Sequence, residues 1–405
     1  MSRPTDSAGD GGGARWLLPE GVEEALPEAA AHLERLRRAI LDLYGRWGYD
    51  LVIPPLIEYL DSLLIGAGHD LELDTFKLVD QLSGRMMGVR SDMTPQVARI
   101  DAHRLAREAP VRLCYVGAVV HTRPGPFGGG RGPLQVGAEL YGHGGLEADL
   151  EVVELMLATL DAAGVRGPLA LDLGHVGLFR GLAAASALAP EDEAALFEML
   201  QRKSVPEIGA HLDALALPAE QDAMWRQLAD LHGGPEVLER ARRVLAPAGD
   251  AVLEAIDHLA RLGEVLAERH PGLRLHFDLA ELRGYHYHTC IVFAAYVSGE
   301  GEELARGGRY DGIGAAFGRA RPATGFSSDL RRLAALGTDP GAAWAGAIAA
   351  PADPDPALAR HVADLRAAGE RVIAMLPGQA ADPRAQGCDR HLVRRDGAWI
   401  LEELE

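Results

Sequence analysis

Gln135 and Glu139 lie four residues apart in the alternating run Leu134 to Tyr141, so they share one face of a strand. Alternation makes that face polar or makes it line a cavity. Asp92 and Thr94, in Arg90-Ser-Asp-Met-Thr94, immediately precede Pro95, where either side chain suits the cap of the helix the proline opens. Tyr285-His-Tyr-His288 sets two imidazoles on one face of an extended run, as in a metal pair. No third ligand follows at a familiar interval, so no metal site is expected, and the run equally suits a strand lining a polar pocket. Gly128-Gly-Gly-Arg-Gly132 offers backbone N–H groups to a phosphate, or relieves strain at a hairpin tip. Gly307-Gly-Arg-Tyr-Asp-Gly312 reads as a tight turn, with Arg309 as a structural ion-pair partner. The chain has two lysines, Lys77 and Lys203. Neither follows glycine, which excludes a Gly-Lys-Ser/Thr phosphate loop.

The elements that must hold these residues follow from periodicity. Leu33, Leu36, Ile40, Leu43, Tyr44 and Trp47 recur at helical spacing. Leu51 to Ile57 is extended, and Pro54 and Pro55 confine it to an edge or an interface, because proline donates no ladder hydrogen bond. Thr75–Asp80 with Arg85–Val89, and Val111–Val120 with Leu134–Tyr141, read as hairpins. A helix is expected from Pro95 to about Leu105, another over Glu147–Ala163, and a nearly all-helical block from about 175 to 270. Strands return at Leu273–Leu279, Tyr287–Ala295 and Glu302–Ala305, before a helix over Asp329–Leu336. Strands joined by tight turns and interrupted by one helical block indicate an α+β fold with a mostly antiparallel sheet. The expected organisation is a disordered tail (1–16), a main domain (17–336), a linker (337–356) and a small C-terminal α/β appendix (357–405).

Composition narrows the function classes. The 405 residues include 40 Lys plus Arg and 59 Asp plus Glu, a net charge of −19 that disfavours unspecific nucleic-acid or anionic-membrane binding. Three isolated cysteines offer neither a disulfide framework nor a zinc motif. With no signal peptide and no apolar stretch long enough to span a bilayer, a cytoplasmic protein without membrane contact is expected.

The order of the segments resembles the catalytic domain of a class II histidyl-tRNA synthetase over about residues 17–336. The succession runs from the Pro55 strand through Arg-Ser-Asp-Met-Thr and the hairpin ending Gln135-Val-Gly-Ala-Glu139 to Arg283-Gly, Gly-Gly-Arg-Tyr-Asp-Gly and Ala323-Thr-Gly-Phe326. The Arg283–His288 and Gly307–Gly312 stretches are peculiar to the histidine enzyme. The resemblance implies a class II synthetase-like antiparallel sheet flanked by helices, with a helical insertion. It implies a histidine pocket made by Asp92, Thr94, Gln135, Glu139, Arg283 and Tyr310, with Tyr287 or His288 as a further aromatic contact. A carboxylate pair with amides suits an ammonium and an imidazole N–H.

The departures fall on the ATP site. Where the family reads Phe-Arg-x-Glu, this chain reads Val120-His121-Thr122-Arg123, and where it reads Gly-Leu-Glu-Arg, this chain reads Asp329-Leu-Arg-Arg332. The C-terminal remainder is also too short for an anticodon-binding domain. A retained histidine pocket beside a damaged ATP site is similar to the regulatory subunit of ATP phosphoribosyltransferase. The wording of Asp74–Gly84, Asp101-Ala-His103, His121-Thr-Arg-Pro124 and Leu282–His288 resembles that subunit too. This implies a short-form catalytic subunit as partner, a homodimer through the Pro54-Pro55 strand within a larger hetero-oligomer, and L-histidine as ligand. It implies no cofactor, no catalytic residue and no specific tRNA binding, and a role in histidine feedback at the first step of histidine biosynthesis. The alternative is an active histidyl-tRNA synthetase.

Overall fold

The computed structural model describes residues 17–65, 69–124, 130–285, 287–339, 346–378 and 382–404. The tail, residues 125–129 of the glycine-rich segment, His286 and residues 340–345 of the expected linker lie outside them. The chain forms two compact units that divide after Pro340.

In the first unit the strands are β1 (Asp50–Leu51), β2 (Ile57–Tyr59), β3 (Phe76–Val79), β4 (Met86–Val89), β5 (Val111–Ala118) and β6 (Leu134–Tyr141). They continue as β7 (Leu169–His175), β8 (His232–Gly233), β9 (Arg274–Asp278), β10 (Ile291–Val297), β11 (Ala305–Arg309) and β12 (Ala323–Asp329). Nine of them make one sheet in the order β1-β5-β6-β12-β11-β10-β7-β9-β8, antiparallel except at β1–β5 and β7–β9. The remaining three form a small sheet, β2-β4-β3. The chain leaves the large sheet at Leu51 and passes through Pro54 and Pro55 to reach the small one, so neither proline has to supply a ladder donor.

The two faces of the large sheet differ because register alternates what each face receives. Along one row of paired residues run Cys114, Ala138, Phe326, Gly307, Phe293, Leu173 and Phe277. This apolar row lies in the main core with Leu36, Ile40 and Tyr44 of the helix Pro27–Arg46 and Val152, Val153 and Met156 of the helix Leu146–Ala162. One register step away, the row on the opposite face reads Leu113, Glu139, Gly325, Gly308, Val292 and Gly174. Three of its six members lack a side chain, and Glu139 stands between Leu113 and Gly325. The room over these glycines is taken by Glu139 at Gly325, His288 at Gly308 and Glu281 at Gly174.

Six helices between Val176 and Arg269 make the expected insertion, filled by contacts such as Phe179 edge-on to Trp225 with centroids 5.4 Å apart. Several expectations need correction. Neither β7 nor β12 was anticipated as a strand, and the strand expected over Glu302–Ala305 begins only at Ala305 and runs to Arg309. The Gly307–Gly312 segment is not a tight turn throughout, because Gly307 and Gly308 lie within β11. A Cβ at Gly307 would stand 2.1 Å from the Gly325 carbonyl oxygen, so glycine there serves strand packing. Tyr287 and His288 are not on a strand, since β10 begins only at Ile291. Gly284 is left-handed (φ +68°), and the amides of Tyr287 and His288 both donate back to its carbonyl, which curls the chain into a turn. Finally, the expected linker contains a strand, because the second unit starts with β13 (Ala347–Ala350).

That second unit adds the helix Pro356–Ala367, β14 (Val372–Ala374), β15 (Cys388–Arg395) and β16 (Ala398–Glu403). Its sheet order is β14-β13-β15-β16 around Ile348, Ala350, Leu358, Val362, Val372 and Leu392. Asp355 caps the helix by accepting from the Ala357 amide at 2.8 Å. Its second oxygen accepts from the Trp399 indole at 2.9 Å, fixing the β16 side of the unit to the helix start.

Candidate functional site

Glu139, only 1% exposed, is held by hydroxyl donors. Tyr115 on β5 donates to Oε1 at 2.9 Å and Tyr310, just after β11, donates to Oε2. Thr94 Oγ1 lies 3.1 Å from the Tyr115 hydroxyl and 3.1 Å from Asp92 Oδ1. Gln135 closes the chain of contacts: its amide nitrogen donates to Asp92 Oδ1 at 2.7 Å, while its oxygen accepts from the Met93 amide at 2.9 Å. Asp92 also accepts from the Thr94 amide at 3.0 Å, so the capping role open to it from sequence coexists with its place in the cluster. Asp92, Thr94, Gln135, Glu139 and Tyr310 are therefore brought together, and among the described residues no arginine or lysine is paired with either carboxylate. Burial, with Asp92 adding to it, pushes the Glu139 carboxyl up to about 8 against the pull of its hydrogen bonds.

Tyr287 closes the same space from the turn before β10. Its ring lies 4.9 Å from that of Tyr310 at an interplanar angle of 30°, and its hydroxyl is buried without a partner. The His288 ring is 6.5 Å from that of Tyr310. It fits between two glycines, since a Cβ at Gly284 would stand 2.5 Å from its Cδ2 and one at Gly308 2.7 Å from its Nδ1. Burial lowers its pKa to about 4, leaving a neutral imidazole. Arg283 is turned to another set of groups: it donates to Glu281 Oε2 at 2.7 Å, to the Tyr296 hydroxyl at 2.7 Å and to Glu303 Oε2 at 3.4 Å. Among the described residues no group of three His, Cys, Asp or Glu side chains could hold a metal ion.

The residues that depart from the synthetase pattern are also engaged. The His121 ring meets the Ser91 carbonyl oxygen at 3.0 Å. Asp329 ends β12 and caps the following helix, accepting from the amides of Arg331 and Leu134 at 3.0 Å each. Arg332 is paired with Glu302 and lies 3.7 Å from Glu300. Glu300, Glu302 and Glu303 come from one acidic stretch between β10 and β11 and cover Arg332, Arg283 and Arg306. Arg309 is the structural ion-pair partner expected of it, 2% exposed and donating to Asp149 Oδ1 at 2.8 Å.

Sequence reasoning missed Tyr115 and Gly325. Tyr115 pairs in register with Gly137, between Gln135 and Glu139, so its face follows once the hairpin is aligned. Gly325 carries a different signal: a Cβ there would overlap Glu139 Oε2, at 1.6 Å. Gly325→Ala is therefore expected to destabilise the chain by about 1–3 kcal/mol, the range for overpacking a filled site. Urea unfolding measures this, and a change below about 0.5 kcal/mol, the scale of a neutral surface substitution, would show that Glu139 moves aside freely.

Residues 21–333 match the histidyl-tRNA synthetase family, and residues 345–402 match the ATP phosphoribosyltransferase subunit HisZ C-terminal domain. The chain is 60% identical to an ATP phosphoribosyltransferase regulatory subunit of Thioalkalivibrio sulfidiphilus, covering 96% of this chain and 99% of that one. It is 57% identical to that of Alkalilimnicola ehrlichii, covering 96% and 98% respectively. A solved ATP phosphoribosyltransferase regulatory subunit/histidyl-tRNA synthetase from Bacillus halodurans superposes with a TM-score of 0.81 at 27% identity, over 95% of this chain and 97% of that one. Identity of this level over nearly the whole chain, with a synthetase-like body followed by this C-terminal domain, places the chain in the family of ATP phosphoribosyltransferase regulatory subunits.

Proposed function

We propose that the buried cluster around Glu139 and Asp92 binds L-histidine and that the chain uses this site to regulate a short-form ATP phosphoribosyltransferase catalytic subunit. The chain activates that subunit, reports histidine to it at the first step of histidine biosynthesis, and performs no chemistry itself. One observation carries the reading: two carboxylates converge in a largely buried cluster that supplies hydroxyls and an amide but no cation. Such a site is completed by a ligand bearing an ammonium and a ring N–H. Asp92, Thr94, Gln135, Glu139, Tyr310 and Tyr287 line it. Arg283, with its fork on Glu281 and Tyr296, reaches the ligand only by leaving those partners. A homodimer through the Pro54-Pro55 segment, within a larger hetero-oligomer, fits the exposed apolar side chains of Ile53, Leu56, Ile57 and Tyr59 around it.

Co-purification with the short catalytic subunit, followed by an activity assay with and without histidine, tests the reading. Complex formation, activation and loss of activity on adding histidine are expected. A catalytic subunit equally active alone, or a complex indifferent to histidine, would overturn it.

The site also predicts a pH dependence. Glu139, with its pKa raised to about 8, is protonated in the empty pocket at neutral pH and ionises when a cation is seated against it. Histidine binding should therefore release a proton and tighten between pH 7 and about 8, above the ordinary imidazole pKa of about 6.5, by up to about tenfold per unit. In the empty protein the sign is opposite. A raised carboxyl pKa means that the folded state holds the extra proton, so this group's contribution to stability declines from about pH 4.5 towards 8. Calorimetry at pH 7 in phosphate and in Tris reads the released proton directly, and identical apparent enthalpies in the two buffers would refute it.

A further inference from the structure

The turn that carries Tyr287 is gripped from outside the pocket. Arg180, on the helix Val176–Ala185 of the helical insertion, donates from Nη2 to the carbonyls of Tyr285 at 2.7 Å and His288 at 2.9 Å. From Nη1 it donates to the carbonyl of Thr289 at 3.3 Å. One guanidinium thus collects three carbonyls of a segment that curls before β10 can supply ladder partners, while its carbon lies 4.8 Å over the Tyr285 ring.

Tyr285 extends the grip. Its ring packs edge-on to Phe179 at 5.2 Å and against Phe197 at 5.0 Å, and its hydroxyl donates to Glu193 at 3.0 Å. Phe179 shares the helix of Arg180, whereas Glu193 and Phe197 belong to the next one, Pro190–Gln201. Two residues further along, Tyr287 faces the other way, against Tyr310 and towards Glu139, with its hydroxyl buried and unpartnered. The segment turns at the left-handed Gly284, whose carbonyl accepts from the Tyr287 and His288 amides, and its outer carbonyls are held by Arg180.

We propose that Arg180 is a positioning residue: by holding the Tyr285–Thr289 carbonyls it fixes Tyr287 over the carboxylate pocket and makes the helical insertion part of the ligand's affinity. The inference rests on the histidine reading for its ligand, but the placement of Tyr287 can be measured without one. The consequence is reciprocal: a ligand that draws Tyr287 inward pulls on the same three carbonyls, and so on the first two helices of the insertion.

The test uses the full chain with Arg180→Met, Arg180→Lys, Tyr287→Phe and the Arg180→Met/Tyr287→Phe pair. Histidine affinity is read by calorimetry. Ligand-free 19F spectra of 3-fluorotyrosine-labelled protein are read in parallel, the Tyr287 resonance being assigned by its loss in Tyr287→Phe. Arg180→Met should weaken histidine binding at least tenfold and move the Tyr287 resonance, with Arg180→Lys intermediate on both. In the Tyr287→Phe background the same change should cost less than threefold, because its effect passes through Tyr287. An equal loss in both backgrounds would overturn the inference, as would an unmoved Tyr287 resonance in Arg180→Met. If Arg180→Met fails to fold, the same two outcomes are read from Arg180→Lys with its own Tyr287→Phe pair. Absence of histidine binding in the unsubstituted chain would count against the histidine reading alone, since the resonance still decides the placement.

Discussion

Glu139→Ala is expected to weaken histidine binding by about 10- to 150-fold, the loss of one charge-assisted contact of about 1.5–3 kcal/mol. The geometry supports the upper half of that range. Glu139 is 1% exposed and lies in its row between Leu113 and Gly325, so neither row neighbour can replace its charge, and Asp92 is left as the second carboxylate of the cluster. The unsubstituted protein should melt at a higher temperature with histidine, because a ligand bound only by the folded state stabilises it by mass action. The variant should lose that shift at moderate histidine while still co-eluting with the catalytic subunit. Glu139 also accepts from Tyr115 and Tyr310, so alanine strands two buried hydroxyls and lowers stability without ligand. Glu139→Gln separates the two effects, since it removes the charge and keeps one acceptor oxygen, while its NH2 group requires the second tyrosine hydroxyl to accept instead of donate. A folded, assembling Gln variant with an unchanged histidine shift would remove Glu139 from the site. A Gln variant that melts early and fails to assemble would make the residue a structural strut.

ATP–pyrophosphate exchange dependent on histidine should be absent, or at least two to three decades below that of an active synthetase. Each transition-state donor lost from a preorganised site costs about 10²- to 10³-fold. Here the position that resemblance assigns to an arginine holds His121, whose ring is spent on the Ser91 carbonyl. Arg332, which survives, is covered by Glu302 with Glu300 nearby, and Asp329 adds a carboxyl at the end of β12. The acidic stretch thus sets carboxylates on the arginine that resemblance assigns to the ATP phosphates. Exchange at a rate comparable with a true synthetase would reverse the assignment and favour the enzyme reading.

Much of this site was legible before any coordinates. Period-two alternation put Gln135 and Glu139 on one face, and hairpin spacing paired β5 with β6, because both depend on neighbours close in the chain. The absence of a Gly-Lys-Ser/Thr loop and of metal spacings was likewise a property of the string alone. Where the reading failed, the determining contacts were remote. β7 is a strand because β10 and β9 flank it, and their residues come about 100 positions later. Gly307 and Gly308 look like turn residues, and only packing against β12, Phe293 and His288 makes them strand residues.

The sequence by itself determined which chemistry the chain can offer: one carboxylate and one amide on a strand face, a second carboxylate before Pro95, and a histidine where the synthetase motif it resembles has an arginine. Tertiary structure decided how those groups are used. It joined Glu139 to Tyr310 and Gly325 across strands nearly two hundred residues apart, leaving the carboxylate without a cation. It also turned Arg283 onto Glu281 and Glu303, and gave the carbonyls beside Tyr287 to Arg180. The physical reason is that a buried charge is defined by what surrounds it, and the surroundings of Glu139 come from β5, β6, β12 and two turns. No local pattern encodes that convergence.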